Sequence, residues 1–393
     1  MGPGDPIPGL PRSLSLEETL LIEAGNDFAF RFLQEVQRED PASNLFLAPL
    51  SASMALGMTL NGAGGNTYQE MRETLGFGSM SLEEINQGYR DLIDLLVQLD
   101  PRVDLGIGNS IWYREGFPVR ADFVDRAERY FDAVVRELDF SDARAPGIIN
   151  GWVRDQTAGK IKEIVDAPID PATVMFLINA TYFKAKWTRR FDKGKTSQAS
   201  FFREDGTSKT VPLMEITDTL PYSETEGYQA VDLPYGGGAF SMTLVLPKGE
   251  GTVGDLVTSL SASSWHEMVG SFAEREGTVR LPRFRMEWEK LLNETLKAMG
   301  MVDAFLPGAA DFTGLSDQAR EMGLFVSKVK QKSYVDVNEE GTEAAGVTVV
   351  QIDRSSLPDR FEFRADRPFL FVIRERFSGT VLFAGVFRTP PEA

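Results

Sequence analysis

The stretch of sequence that decides the fold is "NEEGTEAAGVTVV", residues 338–350. Two acids and a glycine are followed by small and β-branched residues, with no proline among them. The segment is too apolar for a flexible linker and too poor in large side chains for an ordinary core strand. We therefore interpret it as a strand that is exposed in one state of the molecule and inserted into a sheet in another.

The alternation of residue types in this segment agrees with that interpretation, because successive side chains of a strand point to opposite faces. From Gly341 onward one set is small at first, apolar later and free of charge, as a face pressed against a core requires. Its members are Thr342, Ala344, Gly346, Thr348, Val350 and Ile352. The other set comprises Glu343, Ala345, Val347, Val349, Gln351 and Asp353 and contains both acids.

An ordinary strand already in the sheet is the alternative, and the pattern alone does not separate the two. The next stretch, "DRSSLPDRFEFRADRP" at residues 353–368, is polar, contains proline and suits an exposed loop. Because this loop directly follows the segment, it favours a strand that inserts later over a strand that is already in the sheet.

The composition is that of a globular protein with a large core: 393 residues, of which 42% are hydrophobic and 25% charged. The net charge of −17 repels phosphate backbones and anionic lipid, so we expect no nucleic acid, membrane or polyanionic cofactor as partner. The absence of cysteine excludes disulfides, thiolate nucleophiles and cysteine metal sites.

The N-terminal residues 1–15 are rich in proline and glycine, and we expect them to be loose. They contain no basic region followed by an apolar one, so we do not expect this stretch to be a secretory signal. No apolar run approaches the roughly 20 residues that span a bilayer. We expect a soluble protein, cytoplasmic if the sequence is complete and secreted if a signal was removed.

Hydrophobic periodicity predicts helices in the first part of the chain and strands later. A helix starts at Leu16 and stops near Asp40, and two more cover residues 51–65 and 81–99. Residues 103–114 read as a strand. With no linker, repeat or change in composition, we expect a single α+β domain over residues 1–393.

Three later regions carry strong strand patterns. The mostly apolar run at residues 173–187 predicts a strand buried on both faces, and the alternation at 240–247 predicts a half-buried one. Residues 367–375 and 380–387 predict two final strands joined by a turn at Ser378-Gly379.

The residues for enzymatic chemistry are missing from the sequence. His266 is the one histidine, no G-x-S-x-G motif is present, and "HEMVG" lacks the second histidine of a zinc-protease helix. We therefore read His266 as a surface residue beside a packed tryptophan. The glycine-rich "NGAGGNT" lacks the Lys-Ser/Thr of a phosphate loop and is interpreted as a packing turn. We predict no catalytic residue, metal or cofactor, and therefore no enzyme.

Several stretches of the sequence resemble the serpins, a family of serine protease inhibitors with a mobile reactive loop. "VNEEGTEAAG" resembles the family's hinge, and "FRADRPFLFVI" resembles its C-terminal signature. Further matches are "NLFLAPLSASMALGMTLNGAGGNTYQEM", "LINATYFKAKW", "LPRF" and "FAGVF". The resemblance covers nearly the whole chain.

The resemblance implies a fold with a helical N-terminal half, a large central mixed sheet able to accept an extra strand, two smaller sheets and an exposed reactive loop. It also implies a suicide inhibitor that works as a monomer. A target serine protease cleaves the loop, is held as a covalent acyl-enzyme, and is distorted as the loop inserts into the sheet.

The same resemblance assigns roles to particular residues. The hinge and reactive loop cover residues 339–363, and the hinge comprises Glu339, Glu340, Gly341, Thr342, Glu343, Ala344, Ala345, Gly346, Val347 and Thr348. The sheet-opening region comprises Ser51, Asn179, Gln331, Trp187 and Arg283. Within it, Arg283 matches an ion-pair partner of Glu339.

Two positions depart from the family's pattern. Gln331 stands where a histidine bonded to the asparagine is usual, and Ala48 replaces the common serine before Pro49. Because glutamine both donates and accepts hydrogen bonds, it is able to preserve this network without pH sensitivity. The sequence leaves open whether Gln331 fully replaces the usual histidine.

The scissile bond has two candidates. The family's spacing from Gly341 indicates Ser355-Ser356, whereas the basic residue favoured by trypsin-like proteases indicates Arg354-Ser355. The loop toward Pro368 is also about two residues longer than in some members. We favour Arg354-Ser355.

A serpin-like carrier, chaperone or hormone-binding protein that does not inhibit is the alternative function. Such members usually carry bulky, charged or proline residues in the hinge, and this hinge does not.

Overall fold

The computed structural model describes residues 5–342 and 360–391. The α-helices among them are α1 (Leu16–Glu39), α2 (Pro49–Leu60), α3 (Gly65–Thr74), α4 (Leu82–Gln98), α5 (Ala121–Phe131), α6 (Ala145–Gln156), α7 (Val253–Ser259), α8 (Ala262–Gly270) and α9 (Asn293–Ala298). Short 3-10 turns occur at Lys193–Lys195 and Asp303–Phe305.

The strands interleave with the helices and dominate the second half. They are β1 (Leu45–Leu47), β2 (Val103–Arg114), β3 (Val134–Leu138), β4 (Met175–Lys186), β5 (Ser197–Phe202), β6 (Ser208–Glu224), β7 (Tyr228–Tyr235), β8 (Phe240–Pro247), β9 (Ala273–Pro282), β10 (Phe284–Leu291), β11 (Lys330–Asn338), β12 (Gly341–Thr342), β13 (Phe361–Arg364), β14 (Phe369–Glu375) and β15 (Val381–Phe387). The predicted α+β class is confirmed.

The first helix follows the signals in its sequence. Ser15 accepts a hydrogen bond from the Glu18 N–H, and the Glu18 carboxylate accepts one from the Ser15 N–H, which forms a complete capping box. The helix ends at Glu39, two residues before Pro41. The predicted bounds of α1 are therefore confirmed.

Two sheets form the frame of the molecule. The six-stranded sheet has the order β10-β11-β12-β4-β2-β3 and is mixed, because β2 and β3 run parallel. The nine-stranded sheet has the order β1-β15-β14-β8-β7-β6-β9-β13, with β5 paired to β6. The sequence predicted two smaller sheets in place of this one. They are joined because the 17-residue strand β6 pairs with β5, β7 and β9.

The main core lies between the two sheets and around α2. Phe183 of the six-stranded sheet makes edge contacts with Tyr235 and Phe240 of the nine-stranded sheet, with ring centroids 5.2 and 5.9 Å apart. Helix α2 packs against both β4 and β15 and is buried along nearly its whole length. The positions of residues on β4 and β11 that face α2 are therefore fixed by the core.

The predicted half-burial of β8 is wrong. Every residue of this strand is buried, because it lies inside the nine-stranded sheet between β7 and β14. Its polar side chains are satisfied within the sheet: Ser241 and Thr243 donate to Asp232, which also accepts from Arg374 at 2.6 Å. Alternation of polar and apolar residues does not distinguish solvent from a buried polar network.

The prediction of a strand at residues 173–187 is confirmed by β4, but the prediction that it is buried on both faces is wrong. The strand spans Met175–Lys186, but residues 175–177 and Thr181 are only partly buried. In the middle of the strand, the partly buried Leu177, Asn179 and Thr181 alternate with the buried Ile178, Ala180 and Tyr182, so the incomplete burial follows one face.

The N-terminal residues were expected to be loose, and for residues 5–15 this is wrong. The Ile7 N–H donates to the Gly237 carbonyl at 2.8 Å, and Arg102 donates to the Asp5 carbonyl at 2.8 Å. Arg12 forms a bidentate pair with the buried Glu18. Proline and glycine here favour an extended segment held against the β7–β8 turn.

Candidate functional site

Most of the predicted reactive loop lies outside the described residues. The predicted residues concerned are Glu343, Ala344, Ala345, Gly346, Val347, Thr348, Arg354, Ser355 and Ser356. The beginning of the hinge, residues 339–342, is described, as are the five residues predicted to form the sheet-opening region.

The hinge begins as a tight hairpin at the end of β11. After Asn338 the chain turns at Glu339 and Glu340 and comes back as β12. Gly341 has φ +147°, and a Cβ on it would lie 2.2 Å from the Ala185 carbonyl oxygen. Only glycine is compatible with this turn and this close approach.

Strand β12 lies between β4 and β11 and pairs antiparallel with both. Thr342 is opposite Ala185 on β4 and Val337 on β11. Among the described residues, no ladder joins β4 directly to β11, so these two strands are connected through β12 alone. We call the interval between residues 175–184 of β4 and residues 330–336 of β11 the slot.

A cleft passes through the sheet at the upper end of the slot, directly below Thr342. It is lined on the core side by Phe183 and Thr342 and on the outer side by Tyr182 and Tyr334. Lys160, which follows α6, lies over the Tyr334 ring at 5.1 Å on that outer side. The cleft shows that β4 and β11 are already apart where the hinge enters.

The two acids at the tip of the hairpin are buried and held by different partners. Glu339 pairs with Arg283 and accepts a hydrogen bond from Thr196 Oγ1 at 2.7 Å. Glu340 pairs with Lys193 Nζ at 2.7 Å and with Arg190 Nη1 at 3.1 Å. The tip is therefore fixed by ion pairs on both sides.

The electrostatics of Glu339 favour its ionised form. Burial raises the pKa of this carboxyl, but the hydrogen bonds from Arg283 and Thr196 outweigh it, and the pKa lies below its ordinary value. A lowered pKa means that the pairing stabilises the fold above the ordinary carboxyl pKa of about 4.3. This contribution is lost as the pH falls through the lowered value.

Trp187 and Tyr235 form a platform for the hinge. Their rings are stacked with centroids 4.3 Å apart, and Trp187 Nε1 donates to the Asn338 carbonyl at 2.9 Å. The Tyr235 hydroxyl and Thr342 Oγ1 share a hydrogen bond of 2.8 Å, and both residues are buried. Burial raises the pKa of this phenol, so it stays protonated. Thr342 therefore faces the core, on the side its parity predicted.

Gln331 and Asn179 lie on opposite sides of the slot, and both face α2, but they do not bond to each other. Gln331 donates to the Ala48 carbonyl at 2.9 Å and accepts from the Ala48 N–H at 3.1 Å. Asn179 donates to Asn109 of the neighbouring strand β2 at 2.8 Å. Gln331 therefore does not make the bond to the asparagine that is usual for the family's histidine. Gln331 instead bonds to Ala48, the other position that departs from the family's pattern, and we call this pair of residues the clasp.

The remaining sheet-opening residue, Ser51, is buried in the first turn of α2, three residues after Ala48. The clasp thus attaches β11 to the start of this helix, whereas Asn179 attaches β4 to β2. Because Gln331 does not titrate, the clasp has no pH dependence of its own between pH 5 and 8.

Gln331→Leu should destabilise the protein by about 1–3 kcal/mol, because it leaves the buried N–H of Ala48 without its partner. The Ala48 carbonyl loses the bond from Gln331 but still accepts one from the Ala52 N–H. Thermal unfolding of the variant and of Gln87→Leu measures this. Gln87 is a surface glutamine of α4 that bonds only to the neighbouring Asp91, as far as the described residues show. Equal melting temperatures for the two variants would contradict the clasp.

The other predicted positions have structural roles. His266 is exposed on α8 beside the buried Trp265, as expected. In the packing turn, a Cβ on Gly62 would lie 2.8 Å from Leu315 Cβ, which accounts for the glycine by close packing. Within residues 5–342 and 360–391, no group of three or more metal-ligating side chains is placed to hold an ion.

Four residues that hold the hinge were not found from sequence: Arg190, Lys193, Thr196 and Tyr235. Arg190 and Lys193 belong to the basic run "RRFDKGK" at residues 189–195, directly after Trp187, and this local charge was a usable signal. Tyr235 gave no signal, because its contact with Thr342 joins positions 107 residues apart.

The fold and the hinge define a protein that holds residues 339–342 between two strands at the end of a mixed sheet. A family model described as "Serpin (serine protease inhibitor)" matches residues 23–390. Iripin-3 of Ixodes ricinus is 35% identical over 376 residues, which cover 94% of each chain. The chain therefore belongs to the serpin family, whose members are in general protease inhibitors and not enzymes.

Two solved structures are similar over nearly their whole length. The native state of the thermophilic serpin tengpin has 30% identity and a TM-score of 0.86, and the match covers 96% of this chain and 95% of that one. Thyroxine-binding globulin in complex with thyroxine has 28% identity and a TM-score of 0.84, with coverage of 94% and 99%. None of the described helices is long and apolar enough to cross a membrane.

Proposed function

We propose that this protein is a suicide inhibitor of serine proteases that traps its target by inserting the cleaved loop into the slot. The observation that carries the proposal is the position of β12, which is paired on both sides at the mouth of the slot and separates β4 from β11. A strand seated there can be extended residue by residue, because both neighbouring edges are already aligned.

The register of β12 gives the expected extent of insertion. Continued along the slot, it would put Thr348 between Asn179 and Gln331, and Ile352 opposite Met175 at the far end of β4. The uncharged set of side chains would then face the core with Thr342. Insertion would thus end just before the two candidate scissile bonds.

The free energy of insertion has two sources. A central strand of about ten residues makes ladder bonds on both sides, each contributing about 1 kcal/mol net. Burial of the side chains on both faces adds to this, so the total is of the order of ten kcal/mol or more. Such a difference leaves the uncleaved protein kinetically trapped.

The proposal is tested by incubating the protein with trypsin, chymotrypsin, elastase and subtilisin in turn. We expect at least one of them to form a complex that survives SDS and has the mass of the protease plus the larger fragment. Cleavage by all four without any such complex would overturn the proposal. A catalytically inactive protease, with its active-site serine replaced, is the control and should give no such complex.

A non-inhibitory binding protein is the competing function, because a globulin of this fold was solved with thyroxine bound. The small residues that follow Gly341 in the sequence, together with the β12 position, favour insertion over that function. The SDS-stable complex separates the two, since a carrier would be cleaved and released.

For the reactive bond we propose Arg354-Ser355, with Ser355-Ser356 as the alternative. Arg354→Ala should lower the association rate with trypsin at least about a hundredfold, because an acidic specificity pocket loses its guanidinium partner. The rate with elastase should change little, since the hinge is untouched. N-terminal sequencing of the small fragment decides the bond: a chain starting at Ser355 supports Arg354, and one starting at Ser356 contradicts it.

A further inference from the structure

The loop that follows β4 makes a second set of contacts with the hinge, through Glu340. We propose that Arg190 and Lys193 are positioning residues that hold β12 in the mouth of the slot by clamping the Glu340 carboxylate. The role of the two residues in inhibition rests on the proposed function. Whether they hold β12 between β4 and β11 can be measured without any protease. We call these three residues the clamp.

The contacts of the clamp are built from one continuous piece of chain. The Trp187 N–H donates to the Glu340 carbonyl at 3.0 Å, and the Phe191 N–H donates to the Glu339 carbonyl at 3.1 Å. The Arg190 and Lys193 side chains then reach the Glu340 carboxylate. Residues 187–193 thus bind the tip of the hairpin through both backbone and side chains.

The two acids of the tip are attached to opposite sides of the slot. Glu340 is bound by the segment that directly continues β4. Glu339 is bound by Arg283, which directly precedes β10, and β10 pairs with β11. The tip therefore bridges the two strands between which the loop would enter. Any movement of these strands keeps Gly341 between them as long as both attachments hold.

The burial of Glu340 makes the clamp necessary. The residue is only 5% exposed, and a buried carboxylate without a cation is strongly destabilising. If Arg190 and Lys193 lost their charge, Glu340 would move toward water and withdraw Gly341 and Thr342 from the slot. Insertion would then begin later, and more acyl-enzyme would hydrolyse before it is trapped.

Arg190→Met combined with Lys193→Met tests the clamp. We expect amide hydrogen exchange at residues 340–342 to speed up at least about tenfold, because β12 opens locally. With a protease that the wild type traps, the number of inhibitor molecules consumed per protease should at least double. Lys195→Met is the matched control, since it removes a charge from the same loop without changing a contact made by Glu340 among the described residues.

A third substitution in the double variant tests whether Arg190 and Lys193 act through their charge or only through packing. Adding Glu340→Gln to the double variant removes the buried charge, so exchange at residues 340–342 should come back to within about threefold of the wild-type rate. Slow exchange in the double variant, or fast exchange that Glu340→Gln does not reverse, would overturn the clamp. The exchange measurement needs no protease. If the wild type traps none of the four proteases, the proposed function fails. The exchange rates at residues 340–342 still show whether the clamp holds β12 in place.

Discussion

Thr342→Arg should abolish the covalent complex and turn the protein into a substrate of the protease that it otherwise traps. Thr342 is 3% exposed, faces the core and bonds to the buried Tyr235 hydroxyl. A guanidinium at this place has no carboxylate within the described contacts of Thr342, and burying it unpaired costs several kcal/mol. The first step of insertion would then be too slow to compete with hydrolysis of the acyl-enzyme.

The measurement is the yield of SDS-stable complex together with the amount of cleaved protein. Complex should fall by at least about tenfold while cleavage continues at a similar rate. Thr342→Ser is the matched control, because it keeps the hydroxyl that bonds to Tyr235 and should keep most of the complex. Unchanged stoichiometry for Thr342→Arg would mean that this side chain does not enter the sheet.

Cleavage of the peptide chain within residues 352–357 should raise the melting temperature by at least about 15 °C. A stabilisation of ten kcal/mol or more corresponds to a shift of this size or larger, since 1 kcal/mol moves the midpoint by about 2 °C in larger domains. The reason is that β12 already pairs with both β4 and β11, so a freed strand can extend it between them. Differential scanning calorimetry of intact and nicked protein measures the effect.

The Thr342→Arg variant provides the control for this second prediction. When nicked, it should gain much less stability than the nicked wild type, because insertion is blocked at its first residue. A nicked wild type with the same melting temperature as the intact protein would favour the non-inhibitory function. A large gain in both proteins would show that the cut stabilises the fold without the strand entering at Thr342.

Local patterns in the sequence were sufficient for most elements of the fold. Hydrophobic periodicity and the stop near Asp40 predicted α1 closely, and the turn at Ser378-Gly379 predicted the final hairpin. These signals act within a few residues, so the sequence carries them directly. The inward face of Thr342 was predicted in the same way, from a strand period of two.

Features that depend on distant contacts were not predictable. The burial of β8 follows from its neighbours in the nine-stranded sheet, where Asp232 and Arg374 satisfy its hydroxyls. The partner of Gln331 depends on how α2 meets β11, and no local pattern contains that information. The resemblance to serpins located this site, but Gln331 does not make the bond to the asparagine that is usual for the family's histidine.

The clasp has a consequence for how this protein can vary in evolution. Gln331 bonds to the backbone of residue 48 and not to its side chain, so the clasp needs no hydrogen bond from the side chain at position 48. Position 331, in contrast, needs a side chain that donates and accepts at once and reaches both the N–H and the carbonyl of residue 48. Descendants of this sequence should therefore tolerate glycine or serine at position 48, whereas a histidine at position 331 would require a compensating hydroxyl at 48. We therefore expect substitutions at these two positions to be coupled.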